Sequence, residues 1–205
     1  LTYVHSVNVA LIASILGQWL KFSEKDIRIL TISGLLHDIG KIMIPNEILT
    51  KPGKLTVAEY NIMKQHVNFG YEKVKNQNID IRIKEACLLH HEKCDGTGYP
   101  FGLKSDHIPA VAKIIAIADV YDAMTSARVY RGALCPFEVI DTMYKDAFTK
   151  FEPEYILPFL KNVASSYINN DVRLSDGRIG KVVLINENAL SLPIVQCEDE
   201  FIDLS

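Results

Sequence analysis

The chain has 205 residues, of which 48% are hydrophobic and 23% are charged, so it can bury a sizeable core and wholesale disorder is excluded. The 22 Lys and Arg residues against 25 Asp and Glu residues give a net charge of −3, which argues against a DNA-binding protein that relies on an overall positive field. No apolar stretch reaches the roughly 18 residues that would predict a membrane span, and the four cysteines lack a CxxC pair, which is typical of reduced thiols in a cytoplasmic protein.

The N-terminal part of the chain has the apolar periodicity of helices. The first predicted helix carries an apolar stripe formed by Val4, Val7, Leu11, Ile15 and Leu16. A second helix begins at Ser23 and ends near Gly40, and residues 45–52 form a break. A capping box at Thr56 then opens a helix that extends to about Lys75.

The middle of the chain continues as helices around one loop. A helix is predicted over residues 81–91, followed by a loop rich in turn-forming residues over 95–106. Pro109 suits the first turn of an apolar helix that runs to about Thr125. Two more helices are predicted over 136–150 and 154–167.

The composition changes at the C-terminal end. From Asp171 to Ser205, short β-type runs alternate with turn residues such as Gly177 and Pro193, which predicts three or four short strands. A segment this small cannot build a strong core alone, so we expect it to pack on the helices or on a partner. The predicted fold is therefore mainly α, a helical bundle over residues 1–168 with a small β appendage over 169–205.

Five of the six histidines and two aspartates form the candidate metal site. They are His5, His37, Asp38, His66, His90, His91 and Asp119. Asp119 lies in an apolar helical run, and a buried carboxylate is costly unless it is paired or bound to a metal. Imidazole with carboxylate suits iron, manganese, zinc, cobalt or nickel. On spacing alone, the alternative of structural or surface histidines stays open.

The loop after His91 adds a candidate ligand contact. Gly96 and Gly98 allow tight turns and a close approach of the backbone to a ligand. Tyr99 offers an aromatic face that could stack on a nucleobase. The alternative is an ordinary surface loop whose Tyr99-Pro100 packs on the core.

These segments resemble the HD-GYP family, bacterial cyclic di-GMP phosphodiesterases within the wider HD-domain phosphohydrolase class. The resemblance rests on HDIGK at 37–41, KPGKLT at 51–56, His66, HHEKCDGTGYP at 90–100 and DVYDAMTSARVYR at 119–131. It covers about residues 1–159, and the string at 90–100 is its most specific part.

The resemblance implies a helical HD fold that holds two divalent metal ions, with iron or manganese expected. The implied ligands of the first ion are His5, His37, Asp38 and Asp119, and those of the second are His66, His90 and His91, with Asp38 bridging both. Some family members bind a third metal through a Glu four residues before the first His. Leu1 occupies that position here, which favours two metals, although a residue further upstream could compensate.

The implied reaction is hydrolysis of cyclic di-GMP to pGpG and then GMP by a hydroxide that the two metals activate. Asp38 and Lys41 are the implied catalytic residues, and Lys41 also contacts the scissile phosphate. Tyr99, Arg128 and Arg131 match residues that contact the dinucleotide.

Asp122 lies on the same helix face as Asp119, where it could support a ligand or bind an extra metal. Two alternative functions stay open: a phosphohydrolase for another cyclic dinucleotide, and a non-catalytic module that senses cyclic di-GMP or docks a partner. The candidate partners are diguanylate cyclase domains and an upstream sensory domain.

Overall fold

The computed structural model describes residues 2–126 and 134–205, with helices first and a small sheet last. The helices are α1 (Thr2–Trp19), α2 (Glu24–Leu36), α3 (Asn46–Leu49), α4 (Val57–Met63), α5 (His66–Val74), α6 (Ile81–Leu89), α7 (Ala110–Thr125), α8 (Pro136–Lys145) and α9 (Pro153–Ser165). Short 3₁₀ turns span Ile39–Met43 and Ser105–His107. The strands are β1 (Asp171–Arg173), β2 (Ile179–Asn186), β3 (Ala189–Cys197) and β4 (Glu200–Asp203). The predicted fold class, mainly α with a small C-terminal sheet, is confirmed. Among the described residues, no helix combines the length and apolar character that crossing a bilayer would require.

Helix α7 lies in the centre of the helical bundle and packs against α1, α2 and α6. Its sequence is apolar on nearly all sides, which is typical of a helix that is covered by neighbours. Ile114, Ile115 and Ile117 are fully buried and join one large core with Leu30 and Phe159. The two aspartates of α7 are therefore held on a helix that its neighbours cover.

The predicted apolar stripe on α1 is only partly its buried face. Leu16 is fully buried, but three other stripe residues are at least 42% exposed: Val4, Leu11 and Ile15. Helix α2 instead approaches α1 at Gly34, where a Cβ atom would lie 2.5 Å from the Cα of Ala10. This close approach of two backbones decides which face of α1 is covered.

The single helix predicted from Thr56 to Lys75 is wrong, because the structure has two helices there, α4 and α5. The capping box that opens the first of them is present, with Thr56 and Glu59 bonded reciprocally. The second begins at His66 and packs backbone to backbone on the 3₁₀ turn, where a Cβ atom on Gly40 would lie 1.9 Å from the His66 oxygen. Packing on this turn sets the direction of α5 and breaks the longer helix.

Two other predicted helices end early. Helix α2 ends at Leu36, and the chain then enters the 3₁₀ turn with a hydrogen bond of 2.9 Å from Lys41 N to Asp38 O. Helix α8 ends at Lys145, after which the oxygen of Asp146 accepts hydrogen bonds from turn residues up to position 151. In both places local turns replace the last helical hydrogen bonds.

The sheet is antiparallel in the order β1-β2-β3-β4. Val182 pairs with Val195, and both belong to a small buried cluster with Cys197. Phe137 of α8 packs against this cluster, and the sheet contacts α8 and α9. The appendage thus packs on the helices, as its small size led us to expect. The domain division between residues 168 and 169 stays a prediction.

Candidate active site and metal centre

Side chains from α1, α5, α7 and the ends of α2 and α6 converge at one place in the bundle. Two groups offer ligand atoms that lie within 4.8 Å of one another: Asp38, His66, His90 and His91 in one, and His5, His37 and Asp119 in the other. The structure thus brings together every residue that the sequence assigned to the metal site. The ligand roles themselves stay predictions.

The ends of helices allow the adjacent pairs to converge. His37 is the C-cap of α2, and His90 is the C-cap of α6. Within a helix, neighbouring side chains diverge by about 100°, but beyond its last turn the backbone is free to turn both inward. Asp38 has left the helix, with φ −99° and ψ 10°.

Backbone oxygens fix the orientation of three imidazoles. The Nδ1 atoms of His37, His66 and His90 lie 2.7, 2.8 and 2.9 Å from the oxygens of Gly34, Met63 and Ala86, respectively. A carbonyl oxygen only accepts hydrogen bonds, so each Nδ1 carries the proton and each Nε2 keeps its lone pair. This is the arrangement that orients histidines toward a metal.

Several of the nitrogen and oxygen atoms that face the centre of the cluster have lone pairs but no hydrogen-bond donor opposite them. Nε2 of His37 and Oδ1 of Asp38 are buried without a hydrogen-bond partner in the described part of the chain. The Nε2 atoms of His66 and His90 are 3.4 Å apart. Buried polar atoms are normally satisfied, and lone pairs that face one another favour a cation between them. The residues therefore fit a metal centre of imidazole and carboxylate ligands.

The protonation states also suit metal binding. Burial lowers the pKa of His66, lowers that of His90 well below its ordinary value, and lowers that of His91 to about 4. Burial alone would raise the pKa of Asp38, but His37, Lys41 and His90 together outweigh burial and hold that pKa well below its usual range. At neutral pH the three imidazoles are therefore neutral and the Asp38 carboxylate is ionised.

Asp122 holds His5 in place, in the supporting position that the sequence indicated. Its Oδ2 lies 2.6 Å from His5 Nδ1, while Oδ1 accepts hydrogen bonds from Asn8 Nδ2 at 2.8 Å and Ser126 Oγ at 2.9 Å. On the other side, Nε2 of His5 lies 3.0 Å from Asp119 Oδ1. Two acceptors at this distance require a proton or a cation between them.

Lys41 lies at the edge of the cluster, where its ammonium contacts Asp38 Oδ2 and its side chain is 24% exposed. It opens onto a cavity of about 390 Å³, called the Tyr3 cavity below. The described residues that line the cavity are Tyr3, Ser6, Leu35, Asp38, Ile39, Lys41, Ile42 and Leu49. A cation and a carboxylate of the cluster thus face a mostly apolar cavity.

Tyr99 lies against the cluster. Its ring stacks on His91 with centroids 4.7 Å apart and is nearly perpendicular to the rings of His66 and Tyr60. The loop therefore packs on the candidate site, and its role in binding substrate stays a prediction. Arg128 and Arg131, the other two predicted substrate contacts, and Leu1 lie outside the described residues.

Glu92 is a buried residue of the site that the sequence interpretation passed over. Its carboxylate accepts backbone hydrogen bonds from Phe101 at 2.7 Å and Leu103 at 2.9 Å. Gly98 packs on the same residue, since a Cβ atom there would lie 2.5 Å from Glu92 Cα. The position of Glu92 in the sequence, directly after the histidine pair and before a glycine-rich loop, could have indicated its role. Glu92, directly after His91, therefore links the Tyr99 loop to the candidate metal centre.

Replacing Glu92 with glutamine should destabilise this loop. The amide keeps one acceptor but presents its NH₂ group to the second backbone N–H. Loss of that hydrogen bond to a buried carboxylate costs about 2 kcal/mol. We expect the melting temperature to fall by about 4–8 °C and proteolysis within residues 93–104 to accelerate. The exposed Glu47→Gln serves as the control. Equal melting and equal cleavage in both variants would contradict the assigned role.

Comparison with known proteins places the chain in a family. Residues 3–155 match the HD domain family. The chain is 37% identical over 196 residues to cyclic di-GMP phosphodiesterase PA4108 of Pseudomonas aeruginosa, covering 95% of this chain and 47% of that protein. It is 41% identical over 155 residues to the cyclic di-GMP phosphodiesterase response regulator RpfG of Xanthomonas campestris pv. campestris, covering 75% and 41%. It is also 40% identical over 145 residues to 3'3'-cGAMP-specific phosphodiesterase 1 of Vibrio cholerae, covering 69% and 33%. The chain spans less than half the length of these relatives.

Solved structures share the fold. Bd1817, an HDG"Y"P protein from Bdellovibrio bacteriovorus, superposes with a TM-score of 0.64 at 22% identity, covering 78% of this chain and 51% of that one. The HD domain of L. monocytogenes phosphodiesterase PgpH, in complex with cyclic-di-AMP, superposes with a TM-score of 0.60 at 19% identity, covering 80% and 89%. The family match over most of the sequence, the shared helical fold and the motifs at the converging histidines show that this chain belongs to the HD domain family, as a member of the HD-GYP type.

Proposed function

We propose that this chain hydrolyses cyclic di-GMP to linear pGpG and, after a second cut, to GMP. One observation carries the proposal: two groups of histidines and aspartates converge beside Lys41. Relatives of 37% and 41% identity named as cyclic di-GMP phosphodiesterases support the choice of substrate. Because the chain covers less than half of those relatives, the proposal concerns the catalytic segment, and partner domains and a cytoplasmic location stay predictions.

The site would hold two divalent metal ions, with iron or manganese proposed because both accept imidazole and carboxylate ligands. The position of Asp38 supports two ions. Its Oδ1 lies 3.4 Å from His66 Nε2 and 3.8 Å from His90 Nε2. Its Oδ2 lies 3.4 Å from His37 Nε2 and 3.7 Å from His5 Nε2. Each oxygen thus faces a different group of histidines, as a bridging carboxylate must. His91 adds a further candidate ligand to one group, and Asp119 adds one to the other.

Two metal ions, when bound, would supply a polarised water as the nucleophile at neutral pH and offset charge on the phosphoryl oxygens. The chain's own residues prepare the site for this chemistry. The hydrogen bonds from Nδ1 to backbone oxygens hold three imidazoles with their lone pairs inward. Lys41 is placed to donate hydrogen bonds to a phosphoryl oxygen, where negative charge grows in the transition state.

The Tyr99 loop is proposed to contact the rest of the dinucleotide. Beside it, Lys64 Nζ lies 5.3 Å from the Tyr60 ring centroid and 6.0 Å from that of Tyr99. A cation next to two aromatic rings suits a substrate that carries both phosphates and bases. Arg128 and Arg131 stay proposed contacts on the resemblance of their segment.

A second cyclic dinucleotide is the closest competing substrate. The 40% identity to a protein named as specific for 3'3'-cGAMP favours testing it directly. A non-catalytic sensing module is less well supported, because a degenerate member should have lost ligands or the lysine, and Lys41 and all the predicted ligands are present.

Turnover of cyclic di-GMP tests the proposed function. The protein is loaded with Mn²⁺, or with Fe²⁺ under reducing conditions, and products are separated by chromatography with and without a chelator. We expect pGpG or GMP only from metal-loaded protein, and faster turnover of cyclic di-GMP than of 3'3'-cGAMP in competition. Absence of product from protein with verified metal content would overturn the proposal, and preference for 3'3'-cGAMP would reassign the substrate.

Asp122→Asn should weaken metal binding without unfolding the protein. An amide can place its NH₂ group against His5 Nδ1, which favours the imidazole tautomer with its proton on Nε2 and blocks the ligand atom. Loss of such a supporting contact lowers metal affinity by about 10- to 100-fold, measured by competition with a metal-sensitive dye. Ser126→Ala removes a donor to the same carboxylate but leaves His5 bonded, and should change the affinity much less. Equal affinities in the two variants would refute the positioning role.

A further inference from the structure

We propose that the Tyr3 cavity binds one nucleobase of the substrate, with the base stacked on the Tyr3 ring. The inference rests on the proposed function, since it names a base-binding site for the same dinucleotide. It assigns a substrate role to Tyr3, Leu35 and Ile42, which lie outside the motifs on which the resemblance depends.

The first observation is a cluster of exposed apolar side chains beside a charged centre. Tyr3 is 81% exposed, Ile42 is 66% exposed and Leu35 is 42% exposed. Together with Ile39 and Leu49 they line the cavity. Contiguous apolar surface of this kind marks a binding site, and about 390 Å³ lies within the range of roughly 300–1,000 Å³ for small-molecule sites.

The second observation is that the cavity is continuous with the catalytic groups. Asp38 and Lys41 line the cavity and also belong to the centre where the phosphate is proposed to bind. A nucleotide whose phosphate lies at Lys41 carries its base a few bonds away, so the neighbouring apolar walls are within reach. A base has apolar faces and polar edges, which suits a cavity of apolar walls with Ser6 as a further polar group.

The third observation is that Tyr99 lies at a different part of the centre from Tyr3. Its ring stacks on His91 and approaches His66, which belong to one group of ligands. Tyr3 instead lies on α1, two residues before His5, and lines the cavity beside Asp38 and Lys41. A cyclic dinucleotide carries two bases, and among the described residues Tyr99 beside His91 and Tyr3 in the cavity beside Lys41 offer an aromatic ring for each base.

Substitution of Tyr3 tests the site through steady-state kinetics. Tyr3→Ala should raise KM for cyclic di-GMP by about tenfold, the effect of one lost base stack, and leave kcat within about twofold because the stack is made equally in the ground and transition states. Tyr3→Phe keeps the ring and should behave as the parent. Tyr144→Ala, an exposed tyrosine on α8 outside the cavity, is the matched control.

Inhibition separates the base from the phosphate. GMP should inhibit Tyr3→Ala about tenfold more weakly than the parent, whereas ribose 5-phosphate, which lacks a base, should inhibit both equally. An unchanged KM in Tyr3→Ala, or an equal loss of affinity for GMP and ribose 5-phosphate, would overturn the assignment of a base site.

A fluorescent nucleotide makes the test independent of turnover. The monophosphate of 2-aminopurine riboside is titrated into metal-loaded protein, and stacking should quench its fluorescence in the parent and Tyr3→Phe but not in Tyr3→Ala. Quenching that depends on Tyr3 in a protein that does not cleave cyclic di-GMP would retain the base site and reject only the proposed substrate. Equal quenching in all three proteins would reject the base site.

Discussion

Replacing Asp38 with alanine is expected to lower kcat for cyclic di-GMP by at least about a thousandfold, which corresponds to about 4 kcal/mol of lost transition-state stabilisation. Asp38 is the residue whose two oxygens face the two groups of histidines. Its Oδ1 is buried without a hydrogen-bond partner in the described part of the chain, so only a ligand would satisfy it. Removal of this carboxylate should therefore release metal as well as stop turnover.

Metal content and activity are measured on the same preparation of Asp38→Ala. We expect less than one metal ion per chain and no detectable pGpG, with circular dichroism unchanged. Asp106→Ala, whose side chain is 74% exposed beside His107, removes a carboxylate elsewhere and should keep both properties. Asp38→Asn retains the shape of the side chain without its charge. If the ions require the charge, this variant should also lose metal and turnover. A variant that keeps two metals and parental turnover would show that Asp38 is not the bridging ligand.

Gly40→Ala is expected to cause a large loss of stability. A Cβ atom at this position would lie 1.9 Å from the oxygen of His66 and 2.4 Å from the nitrogen of Gly70. Both are backbone atoms, which cannot rotate away, so the 3₁₀ turn and α5 must separate. We expect a loss of about 3 kcal/mol or more in the free energy of unfolding and a fall in melting temperature of about 6–12 °C.

The separation should also reach the metal site, because His66 begins α5 and Lys41 follows Gly40 directly. Gly70→Ala provides the matched control from the other side of the same contact. Its Cβ atom would lie 3.4 Å from the nearest atom, Gly40 N, which is an ordinary contact. Alanine is also favoured over glycine in a helix by up to about 1 kcal/mol. Similar melting temperatures for the two variants would show that the turn adjusts without loss of packing.

The candidate site was predictable from sequence to an unusual degree, because its ligands are of few residue types and are grouped at helix ends. Adjacent pairs such as His37-Asp38 and His90-His91 cannot both point inward from the middle of a helix, so their positions already indicated helix termini. The loop that follows the second pair contains Tyr99 and its glycines, which indicated contact with a ligand. The bridging position of Asp38 was implied only by the resemblance, since no spacing shows which carboxylate lies between two groups.

The features that sequence reasoning missed depend on residues that are distant along the chain. In the sequence, Glu92 is one of several charged residues near a loop. Only the structure shows that its carboxylate accepts hydrogen bonds from two backbone N–H groups. The Tyr3 cavity is formed by the start of α1, the end of α2, the turn after it and Leu49 of α3, so no single segment indicates it. Exposure of Tyr3 likewise follows from the packing of α1, not from its own periodicity.

The sequence by itself determined the fold class and the helix N-caps at Ser23 and Thr56, because periodicity and capping preferences act over a few neighbouring residues. The residues of the candidate metal site were predicted from their types and from the family resemblance. Only the tertiary structure decided which face of α1 is buried, since that depends on the contact of Gly34 with Ala10. It likewise decided where the helix predicted over residues 56–75 is broken, through the contact of Gly40 with His66. In both places a glycine lets two backbones meet, and the energy of that packing exceeds the local preference for a longer or differently oriented helix.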